Sequence, residues 1–392
     1  VITRVAFLSV HTSPLAAPGS GDAGGMNVYV DSLARTFAEM GIGVDVFTAR
    51  TDPGADTVVD VVPGYRVIHV DAAGANRAER VGTFSEGVAR WVVATGVRYD
   101  IVHSHYWLSA WAGLLLEEPL DAPLVISFHT LGRVRDVGAG EPPQPLIRIA
   151  AETEVIARAG CVIASTPAEA ADLIEHYAAR PERVCVSPPG VDHGVFSPGD
   201  RSKARAELGI PQDEKLAVVV GRIQPLKGID VAIRAVAQIP DAHLWVVGGP
   251  SGEAGSDEEI RLRGLADELA PGRVEFKPPM AHESLADLYR AANVVVVASR
   301  SESFGLVAVE AQACGTPVVA SRVGGLVFSV ADAVSGFLVA GEDPTGWVGP
   351  LRAILDDPAL ASRLGAGAQI HASRFSWNAT AARQLELYRG LV

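Results

Sequence analysis

Four charged side chains stand where the sequence offers chemistry. Glu302 and Glu310 bracket Glu302-Ser303-Phe304-Gly305-Leu306-Val307-Ala308-Val309-Glu310, while Arg222 and Lys227 lie inside Gly221-Arg222-Ile223-Gln224-Pro225-Leu226-Lys227-Gly228. Two cations five residues apart between glycines can neutralise both phosphates of a diphosphate. A surface turn with two solvated charges would read the same, but lysine occurs only at 203, 215, 227 and 277. Glu302 and Glu310 fall on one side of a helix if the first belongs to the loop at its entry. A carboxylate can take both hydroxyls of a ribose, and backbone N–H groups at the helix start can meet a sugar or phosphate. An isolated pair of solvated glutamates would look alike.

A third segment, Gly19-Ser20-Gly21-Asp22-Ala23-Gly24-Gly25-Met26-Asn27, opens a helix. Its glycines let backbone N–H groups approach a phosphate whose charge the helix N-terminus favours. It is neither a clean dinucleotide fingerprint nor a P-loop, and an ordinary strand–helix loop remains a reading of it.

These segments need strands to aim them. Strands are expected at 3–10, 43–48, 101–103, 123–129, 161–165 and 184–187, with a helix from about Met26 to a stop at Gly41. Pro188-Pro189-Gly190-Val191-Asp192 and Phe196-Ser197-Pro198-Gly199-Asp200 read as a linker. The rhythm then restarts, with strands at 215–220, 243–247, 274–276, 294–298 and 317–320 and a last helix at about 378–391. The expected fold is α/β: two Rossmann-like, doubly wound parallel-sheet domains facing across a cleft, with chemistry at strand C-terminal ends. The expected boundaries are 1–193, 194–375 and a helix at 376–392 that packs back on the first domain.

Length and composition agree. The chain has 392 residues, 48% hydrophobic and 20% charged, enough for two full cores. A net charge of −13 argues against a nucleic-acid partner. No run of eighteen apolar residues calls for a membrane span, and the first residues lack a basic segment with a cleavage site, so a cytoplasmic protein is expected. Cys161, Cys185 and Cys314 are far apart in sequence and form no metal knuckle. His103 and His105 share a strand face, but spacing supplies no third ligand, so packing and hydrogen bonding are expected there and no metal site. Trp91, Trp245, Trp377 and Cys314 read as core; Lys277 is either near a nucleotide base or solvated.

Arg222 and Lys227, followed by Glu302 and Glu310 within Glu-Ser-Phe-Gly-Leu-Val-Ala-Val-Glu-Ala, resemble the large retaining glycosyltransferase family that includes sucrose-phosphate synthases and bacterial mannosyltransferases. The resemblance covers nearly the whole chain. Ser9-Val10-His11-Thr12-Ser13-Pro14, Gly24 to Tyr29, His103 to Ser109, His129-Thr130-Leu131 and Gly248 to Gly252 are most similar to the actinobacterial mycothiol branch, which transfers N-acetylglucosamine to inositol phosphate.

The resemblance implies roles. Gly24 and Gly25 would contact the donor diphosphate through backbone, Arg222 and Lys227 would neutralise it as it leaves, and Glu310 would hold the ribose. Glu302, with Ser303, Phe304, Gly305 and Leu306, would bind the donor sugar. His129 would sit at the reacting centre, and Asn27, Tyr106, Thr130 and Arg148 would shape the acceptor pocket. It also implies a nucleotide-sugar donor (UDP-N-acetylglucosamine or UDP-glucose), no obligatory cofactor and, from resemblance alone, a homodimer.

No two aspartates are separated by a single residue, so metal-binding Asp-x-Asp is absent and leaving-group charge falls to Arg222, Lys227 and a helix N-terminus. The family works by same-face attack, with a donor phosphate oxygen taking the acceptor proton, and no protein nucleophile is named. One departure stands out: residues 1–200 contain no lysine, whereas the mycothiol branch has one for the acceptor phosphate. Arg77 or Arg80 are the candidates to replace it. Leu131-Gly132-Arg133-Val134-Arg135 also carries arginines where that branch is smaller, and with Arg148 these point to a phosphorylated or anionic acceptor. Other readings are a sucrose-phosphate-synthase-like or other small-molecule glycosyltransferase, a nucleotide-sugar epimerase, or a non-catalytic nucleotide-sugar binder.

Overall fold

A computed structural model describes residues 1–17, 19, 21–52, 54–134, 144–251 and 255–392. Two sheets organise the chain. The first contains β1 (Arg4–Ser9), β2 (Gly43–Ala49), β3 (Val58–Val62), β4 (Tyr65–Val70), β5 (Ile101–His105), β6 (Leu124–Ser127), β7 (Cys161–Ala164) and β8 (Val184–Val186), in the order β3-β4-β2-β1-β5-β6-β7-β8. The second contains β9 (Lys215–Val220), β10 (Ala242–Val247), β11 (Val274–Lys277), β12 (Val294–Val297), β13 (Val318–Ser321) and β14 (Gly336–Val339), in the order β11-β10-β9-β12-β13-β14. Every pairing is parallel except β3 with β4.

Central strands such as Val5-Ala6-Phe7-Leu8 and Val294-Val295-Val296-Val297 are buried throughout, as expected of strands covered by helices on both faces. Strand order reverses beside β1 in the first sheet, where β2 and β5 flank it, and beside β9 in the second, where β10 and β12 flank it. Loops diverge at such points and open a crevice at the strands' carboxyl ends. The glycine-rich loop leaves β1, Tyr106 follows β5, Gly221-Arg222 follows β9, and Glu302 follows β12. Topology alone thus brings the sequence candidates to two facing crevices.

The helix after β1, Gly25–Glu39, buries Tyr29, Val30, Leu33, Ala34 and Phe37 on one face, and Gly41 (φ 80°) follows its end. The chain leaves the first sheet through residues 188–192 and returns beside itself, with Val191 bridging Ser376. The final helix, Trp377–Arg389, places Trp377, Ala381, Leu385 and Tyr388 in the core between the first sheet and helix 25–39.

The expected parallel rhythm needs a correction at one edge. Val58–Val62 is an antiparallel strand and Tyr65–Val70 a further strand, neither anticipated, and Gly336–Val339 adds an edge to the second sheet. β14 has four residues and β3 is only half-buried, and in β4 Arg66 and His69 interrupt the apolar run, so the patterns are weak.

Candidate active site

A cavity of about 460 Å³ lies between the two sheets' crevices, lined from both domains. Gly24, Gly25, Tyr106, His129 and Thr130 line one side; Arg222, Lys227, Glu302, Ser303, Phe304, Gly305, Leu306 and Glu310 line the other. All the candidate donor-side residues therefore share one space.

Lys227 Nζ is 2.6 Å from Glu302 Oε2, and Ser299 Oγ lies 3.4 Å from the same oxygen. The two partners are 25% and 20% exposed, so their attraction is screened less than that of a surface pair. The turn behind Lys227 requires glycine: Gly228 has φ 60°, and a Cβ there would sit 2.0 Å from Ala298 O. Arg222 reaches across the cleft, with Nη1 3.4 Å from Asp22 O and 3.3 Å from Ser251 Oγ. Its guanidinium lies against Gly24, where a Cβ would be 3.1 Å from Nε. The first-domain phosphate-type loop and the second-domain cation thus meet face to face.

Glu310 lies on helix Leu306–Ala313, buried, and accepts a hydrogen bond from Tyr289 Oη at 3.1 Å. Burial raises its pKa, against the lowering influence of His282 and the Tyr289 bond. Phe304 turns its ring inward against Phe375 at 5.4 Å, leaving backbone to face the cleft.

The domains touch again beside His129. Ser303 Oγ donates to His129 O at 2.6 Å, and Thr166 Oγ1 donates to Ser303 O at 3.5 Å. Tyr106 (φ 74°), directly after β5, and His129 (φ 62°), two residues beyond β6, both occupy the left-handed region. Such backbone is costly for non-glycine residues and persists where the surroundings over-determine it. Desolvation pushes the His129 pKa down to about 3, so its imidazole is neutral at physiological pH. His11, which lines the same cavity, is also lowered: burial dominates, Asp22 opposes it, and Arg222, Arg80 and Arg77 add to it.

Two acceptor candidates are placed differently from expectation. Asn27 is 2% exposed and turned inward: its Oδ1 accepts from Gly24 N at 3.0 Å, and its Nδ2 donates to Thr12 Oγ1 and Ser13 O. It shapes the glycine loop rather than lining the cavity. Arg148 is equally buried, donating to Glu152 Oε1 (2.7 Å), Gln144 Oε1 (2.9 Å) and Thr130 O (2.9 Å), with its guanidinium over the Tyr106 ring. Glu152 in turn accepts from Gly132 N and Tyr177 Oη. This buried knot holds Thr130 and Tyr106 in place from beneath.

Lys277 lies over the Trp245 ring and pairs with Glu275, so it is neither at the cavity nor simply solvated. Arg133 lies over Tyr177, Arg77 and Arg80 open the exposed first turn of helix Arg77–Thr95, and Arg135 falls outside the described residues. Among the described residues no group of three or more His, Cys, Asp or Glu is placed to hold a metal. No helix among them is long and apolar enough to cross a membrane. His11, Asp22, Tyr29 and Ser251 line the cavity but were not read as site residues, although each lies inside a stretch singled out in the sequence; that membership was the available signal.

Comparison with known proteins settles the family. Residues 23–195 match the description "Glycosyltransferase Family 4" and residues 200–371 match "Glycosyl transferases group 1". A protein from Catenulispora acidiphila named D-inositol 3-phosphate glycosyltransferase 1 is 47% identical over 406 residues, covering 99% of this chain and 96% of its own. The chain belongs to this glycosyltransferase family. A D-inositol 3-phosphate glycosyltransferase from Thermobispora bispora is 46% identical over 405 residues, covering 99% of this chain and 94% of its own. Among solved structures, the sucrose-phosphate synthase of Thermosynechococcus elongatus superposes with TM-score 0.93 at 36% identity over 99% of both chains. The glycosyltransferase therefore has the two-Rossmann architecture expected from its sequence, and it is an enzyme.

Proposed function

We propose that this glycosyltransferase moves N-acetylglucosamine from UDP-N-acetylglucosamine to an inositol phosphate with retention of configuration. The observation that carries the reading is the convergence of Arg222, Lys227, Glu302, Glu310 and His129 on one cavity, in a chain 46–47% identical to D-inositol 3-phosphate glycosyltransferases. Glu310, held by Tyr289, takes the ribose hydroxyls. Arg222 and Lys227, with the N-terminus of helix 25–39 behind Gly24, take the diphosphate.

The sugar's bond to the β-phosphate oxygen breaks, and the bond to the acceptor oxygen forms on the same face. The acceptor proton passes to a phosphate oxygen of the departing nucleotide, whose charge the two cations stabilise. His129, neutral and beside both domains, orients the sugar rather than taking that proton. On the acceptor side, Thr130 and Tyr106 contact the polyol. Arg77 and Arg80, which bear electrostatically on His11, replace the missing lysine toward the phosphate.

The likeness to sucrose-phosphate synthase at 36% identity favours a second reading, transfer to a hexose phosphate. An acceptor panel separates the two: inositol 3-phosphate, free inositol and fructose 6-phosphate, each with UDP-N-acetylglucosamine and UDP-glucose. Product from inositol 3-phosphate alone supports the first reading. Product from fructose 6-phosphate alone replaces it.

A further inference from the structure

Ser303 lies in the turn from Glu302 to Gly305, and both its hydroxyl and its carbonyl are spent on the other domain. Its Oγ donates to His129 O at 2.6 Å, and its carbonyl accepts from Thr166 Oγ1 at 3.5 Å.

The sequence around Thr166 prepares it for this contact. Thr166 caps helix Pro167–Tyr177, with proline at the first helical position and Glu169 at the third. Its Oγ1 accepts from Glu169 N at 3.2 Å, while Glu169 Oε2 accepts from Ser165 N at 2.7 Å. A hydroxyl that accepts from a backbone N–H keeps its single hydrogen for another partner. Thr166 is 0% exposed, so bulk solvent cannot take that hydrogen, and the Ser303 carbonyl does. His129 reaches Ser303 from the other side. Its left-handed backbone turns the chain out of the line of β6 and presents a carbonyl to the second domain.

The second domain grips the same turn from behind. Gly325 N donates to Glu302 O at 2.7 Å, and a Cβ on Gly325 would overlap the Ser303 carbonyl. Phe304 is buried against Phe375, whose carbonyl accepts from Val191 N and His193 Nε2 where the chain crosses between the domains. The turn is thus tied to the crossover at one end and to the first domain's cleft face at the other.

We propose that Thr166 is a positioning residue for the donor sugar: with His129 O it seats Ser303, so that the first domain completes the sugar-binding turn of the second only when the cleft is shut. Thr166 is not among the residues lining the cavity. It acts through Ser303 on Glu302 and on the N–H groups that open helix Leu306–Ala313. The Thr166 bond is the longer of the two, and closure onto a donor draws it in. UDP, held by Arg222, Lys227 and Glu310, does not need this seat; the sugar does. The inference rests on the glycosyltransferase reading of the cleft.

The test compares the full-length parent with Thr166→Val, Thr166→Ser and, from the opposite domain, Ser303→Ala. Turnover is measured with UDP-N-acetylglucosamine and inositol 3-phosphate, UDP affinity by calorimetry, and cleft closure by small-angle X-ray scattering with and without the donor. Thr166→Val and Ser303→Ala are each expected to lower kcat about tenfold, the worth of one net hydrogen bond. Their UDP affinity stays at the parent value, and their radius of gyration exceeds the parent's. Thr166→Ser keeps both the cap and the donated hydrogen and matches the parent in all three. A role confined to the helix cap would lower the melting temperature of Thr166→Val, leave kcat of the folded protein at the parent value and spare Ser303→Ala. That pattern would overturn the proposal, as would a loss of UDP affinity as large as the loss of turnover. So would a fall in kcat for Ser303→Ala with parent-like scattering, which would mean that its hydroxyl serves the sugar directly. If Thr166→Val does not fold, Ser303→Ala decides alone. If the parent transfers sugar to no acceptor, the functional reading fails, and scattering of the protein alone decides the latch: expanded variants uphold it and parent-like variants refute it.

Discussion

Lys227 and Glu302, 75 positions apart, meet at 2.6 Å in the cleft. The cation assigned to the leaving diphosphate is thus held by the carboxylate assigned to the sugar. A carboxylate at that distance offsets part of the lysine's attraction for phosphate. Glu302→Gln is therefore expected to move two observables in opposite directions. UDP binding tightens by about fivefold, because a negative charge leaves the diphosphate site. Turnover falls by about a hundredfold, because a charged acceptor for the sugar hydroxyls is gone. Calorimetry with UDP and a turnover assay check the two halves, and weakened UDP binding would contradict this account of the pair.

Gly24→Ala is a test of the facing loop. Gly24 has φ −164°, extended backbone that alanine adopts without strain, but its new Cβ would lie 3.1 Å from Arg222 Nε. The guanidinium must shift by tenths of an ångström. The expected outcome is an unchanged melting temperature with kcat/KM for the donor lowered about tenfold. A fall in stability with normal kcat/KM would show that Gly24 matters only to folding.

Much of this was legible in the sequence, and the reasons differ by residue. Arg222 and Lys227 stood out because they lie between glycines after an apolar strand in a chain with few lysines, whereas Glu302 and Glu310 took their expected roles from the family resemblance. The two crevices followed from the alternation of strands and helices, since β–α order dictates where loops diverge. Asn27 had the right type and the wrong role: whether a carboxamide faces a ligand or its own loop depends on local hydrogen-bond geometry that spacing does not encode. Arg148 shares that ambiguity, because a fully partnered buried arginine and a ligand-binding one look alike in sequence. The Ser303–His129 contact joins residues 174 apart in different domains, and only the packed pair of sheets reveals it.

Arg148→Ala would leave Glu152, which is 0% exposed, without its cation. Breaking one side of a buried pair typically costs about 3–5 kcal/mol. The unfolding free energy in urea is expected to fall by about that amount, and transfer to be lost with it through Thr130 and Tyr106. A loss of activity with parent-like stability would mean instead that Arg148 contacts the acceptor directly.

Stability is expected to rise between pH 5 and 7. His103, His105 and His129 have folded pKa values below the unfolded value of about 6.5, with His129 near 3. As pH falls below about 6.5 the unfolded chain takes protons that the folded chain refuses, so stability is lost toward acid. Glu169 works the other way. Burial raises it to about 7, so the folded chain holds a proton there that the unfolded chain releases above about 4.5, and that contribution is lost as pH rises through 7. His11 and His371 are lowered too, and Glu310 and Asp172 are raised; the five histidines outweigh the three carboxyl groups, and Glu169→Gln should steepen the rise. Melting temperatures across this range check the sign; a flat or falling profile in the parent would contradict it.

The most direct test of the central claim is release of UDP from UDP-N-acetylglucosamine by the purified chain, followed with and without inositol 3-phosphate. The account predicts release that depends on the acceptor, matched by an α-linked product and abolished by Lys227→Ala. Release independent of any acceptor, or none with any phosphorylated polyol despite tight UDP binding, would contradict it.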